Sequence, residues 1–111
     1  MTSVFEVVTV QVNLGARGRF AELHREVLLP ACHRNGIRVV ACLMAEVGQV
    51  GRVVDIYEYS SYADYSDRSA ALEADLTASG YYEQIQLCIA GTIQVELMTE
   101  LNGSAWAAVS Q

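Results

Sequence analysis

Asp55 stands in the middle of VVDIYEY, residues 53–59, a run whose other members suit a strand buried on both faces. An ionised carboxylate removed from water costs several kcal/mol unless it is paired, so such a group neutralises or finds a partner. Burial of a carboxyl also raises its pKa toward the range where it can give and take protons near neutral pH. Asp55 is therefore a candidate general acid or base; the structural alternative is an acid paired with Arg68, Arg38 or a group at a subunit interface. Tyr57 falls on the same strand face by the period of two. Its phenol could orient a substrate or donate a proton, and packing alone would also account for it. His24 lies one turn after Phe20, at the flank of a helical apolar stripe. A His–Asp pair would fix the imidazole tautomer and form a proton shuttle. Otherwise His24 is a partly exposed residue at the edge of its stripe. His33, beside Arg34, reads as a surface residue near a helix end.

The elements that would position these groups follow from periodicity. Val4 to Asn13, rich in Val and Thr, predicts a first strand. Gly15 and Gly18 precede a helix over about Arg17 to Arg34, with Phe20, Leu23, Val27 and Ala31 as its buried stripe. Pro30 should kink that helix, and Asn35-Gly36 should end it. Ile37 to Glu46 and Arg52 to Tyr59 predict two strands joined by VGQVG as a hairpin. Ser61-x-x-Asp64 resembles a capping box opening a second long helix, with Tyr62, Tyr65, Ser69, Leu72 and Leu76 as its core stripe. Gly80 ends it, Tyr81 to Ile89 gives a short third helix, and Thr92 to Leu101 the last strand. The order β-α-β-β-α-(α)-β is the α+β, ferredoxin-like split β-α-β arrangement: an antiparallel four-stranded sheet with helices on one face. The other face would need a cover, and a second copy of the chain is the simplest one.

Composition bounds the function. A chain of 111 residues is one domain, and 52% apolar against 18% charged residues suggests more buried surface than a small monomer provides, so a homodimer is expected. The net charge of −6 argues against nucleic acid or an anionic membrane as partner. The N-terminus enters a strand with no basic start and no signal-length apolar run, so no targeting segment is expected, and no stretch is long enough to span a bilayer. Three cysteines, Cys32, Cys42 and Cys88, lack CxxC spacing and read as small buried hydrophobes in a reducing cytoplasm. Walker and Rossmann glycine patterns and a GxSxG elbow are lacking, and no His/Asp/Glu group has ligand spacing; neither a nucleotide cofactor nor a metal is expected.

With these elements in place the chain resembles the NIPSNAP family of the dimeric α+β barrel superfamily, over about Phe5 to Glu96. The resemblance is carried by FEVVTV, by Gly15 with Phe20-x-x-Leu23, by Pro30 followed by Gly36, and by Glu46-Val47-Gly48. VVDIYEY follows, then Arg68-x-Ala70-Ala71-Leu72 with Asp75 and Tyr81. It implies a domain over 1–101 with a tail at 102–111, two sheets facing each other in a dimer, and pockets lined by sheet and helix residues. Related barrels include cofactor-free monooxygenases, lactone isomerases, polyketide cyclases and haem-handling enzymes, among which fold analogy does not choose. The chain departs from the family pattern at Val8 and Val10, where an Arg and a Tyr are usual. It departs again at Cys42 and Leu43 (aromatics), at Asp55 and Tyr57 (His and Trp), at His24 (Tyr) and at Ala78 (Trp). Glu46 and Glu58 match the family and read as structural or interface groups.

Around the proposed Asp55, His24 and Tyr57 constellation, five residues are candidates for binding substrate. Tyr62 and Tyr65 lie on the second helix's stripe and could be core or pocket lining. Tyr81 matches a family Tyr and would border the cleft; Cys42 stands at an expected pocket position. Trp106, in the tail NGSAWAAVSQ, would pack over the pocket mouth or onto the partner subunit. The expected activity is a cofactor-independent cyclisation, isomerisation or dehydration of a small hydrophobic, polyketide- or aromatic-like molecule. The alternatives are a non-catalytic dimeric binding or scaffold protein and a cofactor-free monooxygenase, with haem binding through His24 or His33 as a further reading.

Overall fold

The computed structural model describes residues 3–101, and Trp106 lies outside them. Four strands form one antiparallel sheet in the order β2-β3-β1-β4. They are β1 (Val4–Val12), β2 (Arg38–Met44), β3 (Arg52–Tyr59) and β4 (Ile89–Met98). The helices are α1 (Arg17–Leu23), α2 (Leu29–Arg34), α3 (Tyr62–Ala78) and α4 (Tyr81–Ile85), with a single 3-10 turn at Leu14–Ala16. This is the expected ferredoxin-like α+β topology.

The cross-strand register separates the two faces. Glu6 pairs with Tyr57, Val8 with Asp55 and Val10 with Val53, so these residues share the face that the helices cover. Val4, Val10, Val12, Val53, Tyr57 and Tyr59 are buried there against Phe20, Leu23, Leu28 and Ala31. Phe5, Val7, Val54, Ile56, Leu43 and Met98 alternate onto the opposite face, which no element among the described residues covers.

The long first helix departs from expectation in an informative way. It is not one α-helix kinked at Pro30: a π-helical turn spans His24–Leu28, and the Leu29 N–H donates to His24 O. In an uninterrupted α-helix the Pro30 ring would press on the carbonyl of Glu26, and a widened turn relieves that clash. The additional residue rotates the buried side, so Leu28 is buried in the core, Val27 packs half-buried against it and His24 is carried inward. Helix α3 starts as expected, with Ser61 Oγ accepting from the Asp64 N–H at 3.0 Å. Its stripe is narrower than expected: Leu76 is buried, whereas Tyr62 is exposed. Gly80, at φ 73°, closes the helix in the left-handed region. Strand β4 begins at Ile89 rather than Thr92, because a bulge opposite Thr9–Gln11 lets pairing run on past Gly91 at φ 75°.

Candidate functional site

The acid in β3 and the imidazole at the π turn meet. His24 Nε2 lies 2.7 Å from Asp55 Oδ2, and the Tyr57 hydroxyl donates to the same oxygen at 3.0 Å. Only 8% of His24 and 4% of Asp55 is exposed. With Asp55 ionised and the imidazole neutral, the His24 proton sits on Nε2 and Nδ1 keeps its lone pair. His24 Nδ1 and Asp55 Oδ1 are buried without a hydrogen-bond partner. Unpartnered polar atoms in such surroundings are costly, and a ligand is one thing that satisfies them. The Tyr57 hydroxyl is held neutral, raised first by burial and then by the charge of Asp55. Its proton is committed to Asp55, so Tyr57 orients the carboxylate rather than offering a ready acid.

The pair borders a cavity of about 270 Å³ between the sheet and the helices. Phe20, Tyr57, Tyr81 and Tyr82 supply aromatic walls; Val8, Val10, Leu72 and Ile85 are among its aliphatic ones. Glu6 of β1 also faces it, a second acid besides Asp55. The Tyr59 hydroxyl donates to Glu6 Oε1 at 3.0 Å, and burial, only partly offset by that bond, raises the Glu6 carboxyl above its ordinary 4.5. The signal for Glu6 was the one that marked Asp55: an acid in an alternating Val4-Glu6-Val8-Val10 face.

The other expected binding residues are dispersed. Tyr81 lines the cavity. Tyr62 does not: it is 60% exposed, because the Ala- and Ser-rich start of α3 gives the sheet little to bury. Tyr65 packs edge-on against Tyr59 at 5.1 Å and belongs to the core rather than to the cavity wall. Cys42 pairs with Asp55 in register but sits on the edge strand, exposed, and is outside the cavity lining; it is therefore not the buried hydrophobe expected, whereas Cys32 and Cys88 are buried. The arginines offered as partners for Asp55 are used elsewhere: Arg38 with Glu58, and Arg68 with Asp64.

Spacing along the chain concealed one further grouping. His24, Cys42 and Asp55 each offer a ligand atom, all within 4.8 Å of one another, so in space a three-donor set exists that linear spacing did not show. A soft divalent cation entering it would have to separate His24 from Asp55. It would also have to deprotonate a Cys42 thiol that burial and the charge of Asp55 push up to about 12. The donors as arranged serve a proton better than a metal.

The NIPSNAP family model matches residues 5–102. Among solved structures, a NIPSNAP family protein of unknown function from Agrobacterium tumefaciens is 21% identical, with a TM-score of 0.75 over 88% of this chain and 87% of that one. A NIPSNAP-like domain protein from Burkholderia xenovorans is 17% identical, with a TM-score of 0.77 over 89% of this chain and 85% of that one. A candidate antibiotic biosynthesis monooxygenase from Nitrosomonas europaea is 15% identical, with a TM-score of 0.70 over 89% and 90% of the two chains. At these identities the likeness is one of fold. Among curated proteins none matches.

Proposed function

The chain belongs to the NIPSNAP family, and from that premise we propose that it is a cofactor-independent enzyme that moves protons on a small hydrophobic molecule. The observation that carries this reading is the buried His24–Asp55 contact of 2.7 Å at the wall of an apolar cavity, with Nδ1 of the imidazole unpartnered. His24 Nδ1 would take a proton from carbon or oxygen of the bound molecule while Asp55 stabilises the imidazolium through Nε2–H. Returned to a neighbouring atom, the same proton completes an isomerisation; returned to a leaving hydroxyl, it completes a dehydration. Attack of the carbanion on a carbonyl carbon of the same molecule, with the proton returned from the imidazolium to the resulting alkoxide, gives a cyclisation. Substrates of polyketide or aromatic type have the acidic C–H and the apolar body this cavity suits.

A homodimer and a cytoplasmic setting are part of the proposal. The half-exposed Phe5, Val7, Val54 and Ile56 on the uncovered sheet face support the first, and three free cysteines the second. The net charge of −6 supports a partner that is neither nucleic acid nor membrane. Among the described residues, no helix is long and apolar enough to cross a membrane.

Exchange of carbon-bound hydrogen tests the reaction class. Aryl 1,3-diketones incubated with the protein in D2O should lose their α-proton signal faster than in buffer. Asp55→Asn should abolish the acceleration while the fold is retained. Undiminished exchange in that variant removes the dyad from the chemistry. A non-catalytic binding protein would bind the diketones without accelerating exchange at all.

A further inference from the structure

The cavity holds two carboxyl groups and no basic side chain of lysine or arginine type. The chain has no lysine, and its arginines point elsewhere. Arg19, Arg25, Arg34, Arg38 and Arg68 each pair with an acid on the surface, and neither Arg17 nor Arg52 lines the cavity. The one neighbouring group able to carry positive charge, His24, is already engaged by Asp55. Glu6 is left with a single neutral donor, the Tyr59 hydroxyl, and among the described residues no cation lies within ion-pair distance of it. A half-buried carboxylate without a counter-charge is unfavourable in the empty protein, and the shortage is one that a ligand can correct. Aromatic rings stand around the same space: Phe20, Tyr57, Tyr81 and Tyr82 line it. Ring faces attract a desolvated cation, and they do nothing comparable for an anion.

From this geometry we infer that the cavity selects a hydrophobic molecule carrying one cationic nitrogen, an aryl-alkyl amine in its ammonium form, with Glu6 as counter-ion and the aromatic walls around the organic body. This rests on the proposed reading of the site as a small-molecule cavity, and names the class of molecule. Glu6 is a specificity residue in this account: it fixes the charged end while His24 and Asp55 face the reacting part. A carboxylate or phosphate ligand is disfavoured by the same arithmetic of charge, since it would meet two acids and no arginine or lysine.

Three probes of one shape decide it: 2-phenylethylamine, 2-phenylethanol and phenylacetate, titrated calorimetrically into the intact protein at neutral pH. The amine should bind about tenfold tighter than the alcohol, the difference a desolvated charge pair with ring contacts supplies, and phenylacetate weaker still. In Glu6→Gln, whose amide oxygen still accepts from Tyr59, the amine's advantage should shrink to about twofold, that is, to the ring contribution. Without any ligand, Glu6→Gln should also melt at a higher temperature than the parent, because an uncompensated charge has been removed. Alcohol or acid binding as well as the amine, no binding by any of the three, an amine preference that Glu6→Gln leaves undiminished, or a lower melting temperature in that variant would each overturn the assignment. A charge preference with no proton exchange on diketones would instead leave the ligand class standing and remove the catalytic reading.

Discussion

His24 and Asp55, thirty-one positions apart in sequence, are joined by a 2.7 Å contact in which almost nothing of either residue reaches solvent. The contact exists because a local irregularity in the helix meets the regular pleat of a strand. A π turn rotates the histidine inward, and the pleat of β3 turns the aspartate toward the same space. Among the described residues neither has an alternative partner of opposite charge, so each is the other's condition for being buried.

The first prediction concerns that mutual dependence. Replacing His24 by leucine leaves Asp55 with the Tyr57 hydroxyl alone and should lower stability by about 3 kcal/mol. The double replacement His24→Leu with Asp55→Leu should recover most of the loss, since apolar residues of similar size are tolerated where a paired set is not. Urea unfolding of the two single variants and the double one measures this, and strictly additive losses would show that the pair is not a unit.

Glu6 gives a prediction in pH. Its carboxyl is raised above the ordinary 4.5, chiefly by burial, so the folded state holds that proton more firmly than the unfolded chain does. Between the unfolded and folded values the native state binds more protons, and stability therefore falls as pH rises through that window. In Glu6→Gln this component of the slope should vanish. Thermal unfolding from pH 4 upward compares the two, and identical slopes would mean Glu6 is not held away from its ordinary range.

Cys42 is exposed yet should be a poor nucleophile. With its thiol pushed up to about 12, the reactive thiolate is scarce at neutral pH. Alkylation by iodoacetamide should be slower than for a free cysteine by on the order of tenfold or more, and Asp55→Asn, which removes the nearby negative charge, should speed it. Mass spectrometry of labelled protein resolves Cys42 from the buried Cys32 and Cys88. Rapid labelling of the parent would contradict the assigned electrostatics.

The uncovered sheet face carries the prediction about assembly. Leu43, 60% exposed, lies on it next to Val54. If a second copy covers that face, Leu43→Glu should bring two like charges into an apolar contact and shift the protein toward monomer. Sedimentation of the parent and the variant reads the change. A parent that sediments as a monomer at all concentrations would remove the dimer from the account.

The topology was legible in the chain because strands and helices differ in period and because Gly and Ser punctuation marks their ends. Asp55 was legible because an acid in a run of β-branched residues conflicts with its surroundings, and His24 because it follows Phe20 by one turn. Glu6 gave the same kind of signal but stands near a strand end, where an acid is ordinary. The π turn was not readable: Pro30 announces a disturbance, while its placement upstream depends on how the helix meets the sheet. Tyr62 misled because the first half of α3 is polar or small on most sides, so spacing could not say which face was covered, whereas Tyr65 packs on the core as its stripe position implied. The grouping of Cys42 with His24 and Asp55 was invisible because it unites an edge strand, a central strand and a helix.

The central claim is that Asp55 receives the Nε2 proton of His24 and leaves Nδ1 free to work on the bound molecule. Long-range 15N–1H correlation spectra of the protein labelled at histidine observe both ring nitrogens directly. For His24 the proton should sit on Nε2 with a bare Nδ1, and that pattern should change in Asp55→Asn. A proton resident on Nδ1, or a spectrum that Asp55→Asn leaves unaltered, would contradict it.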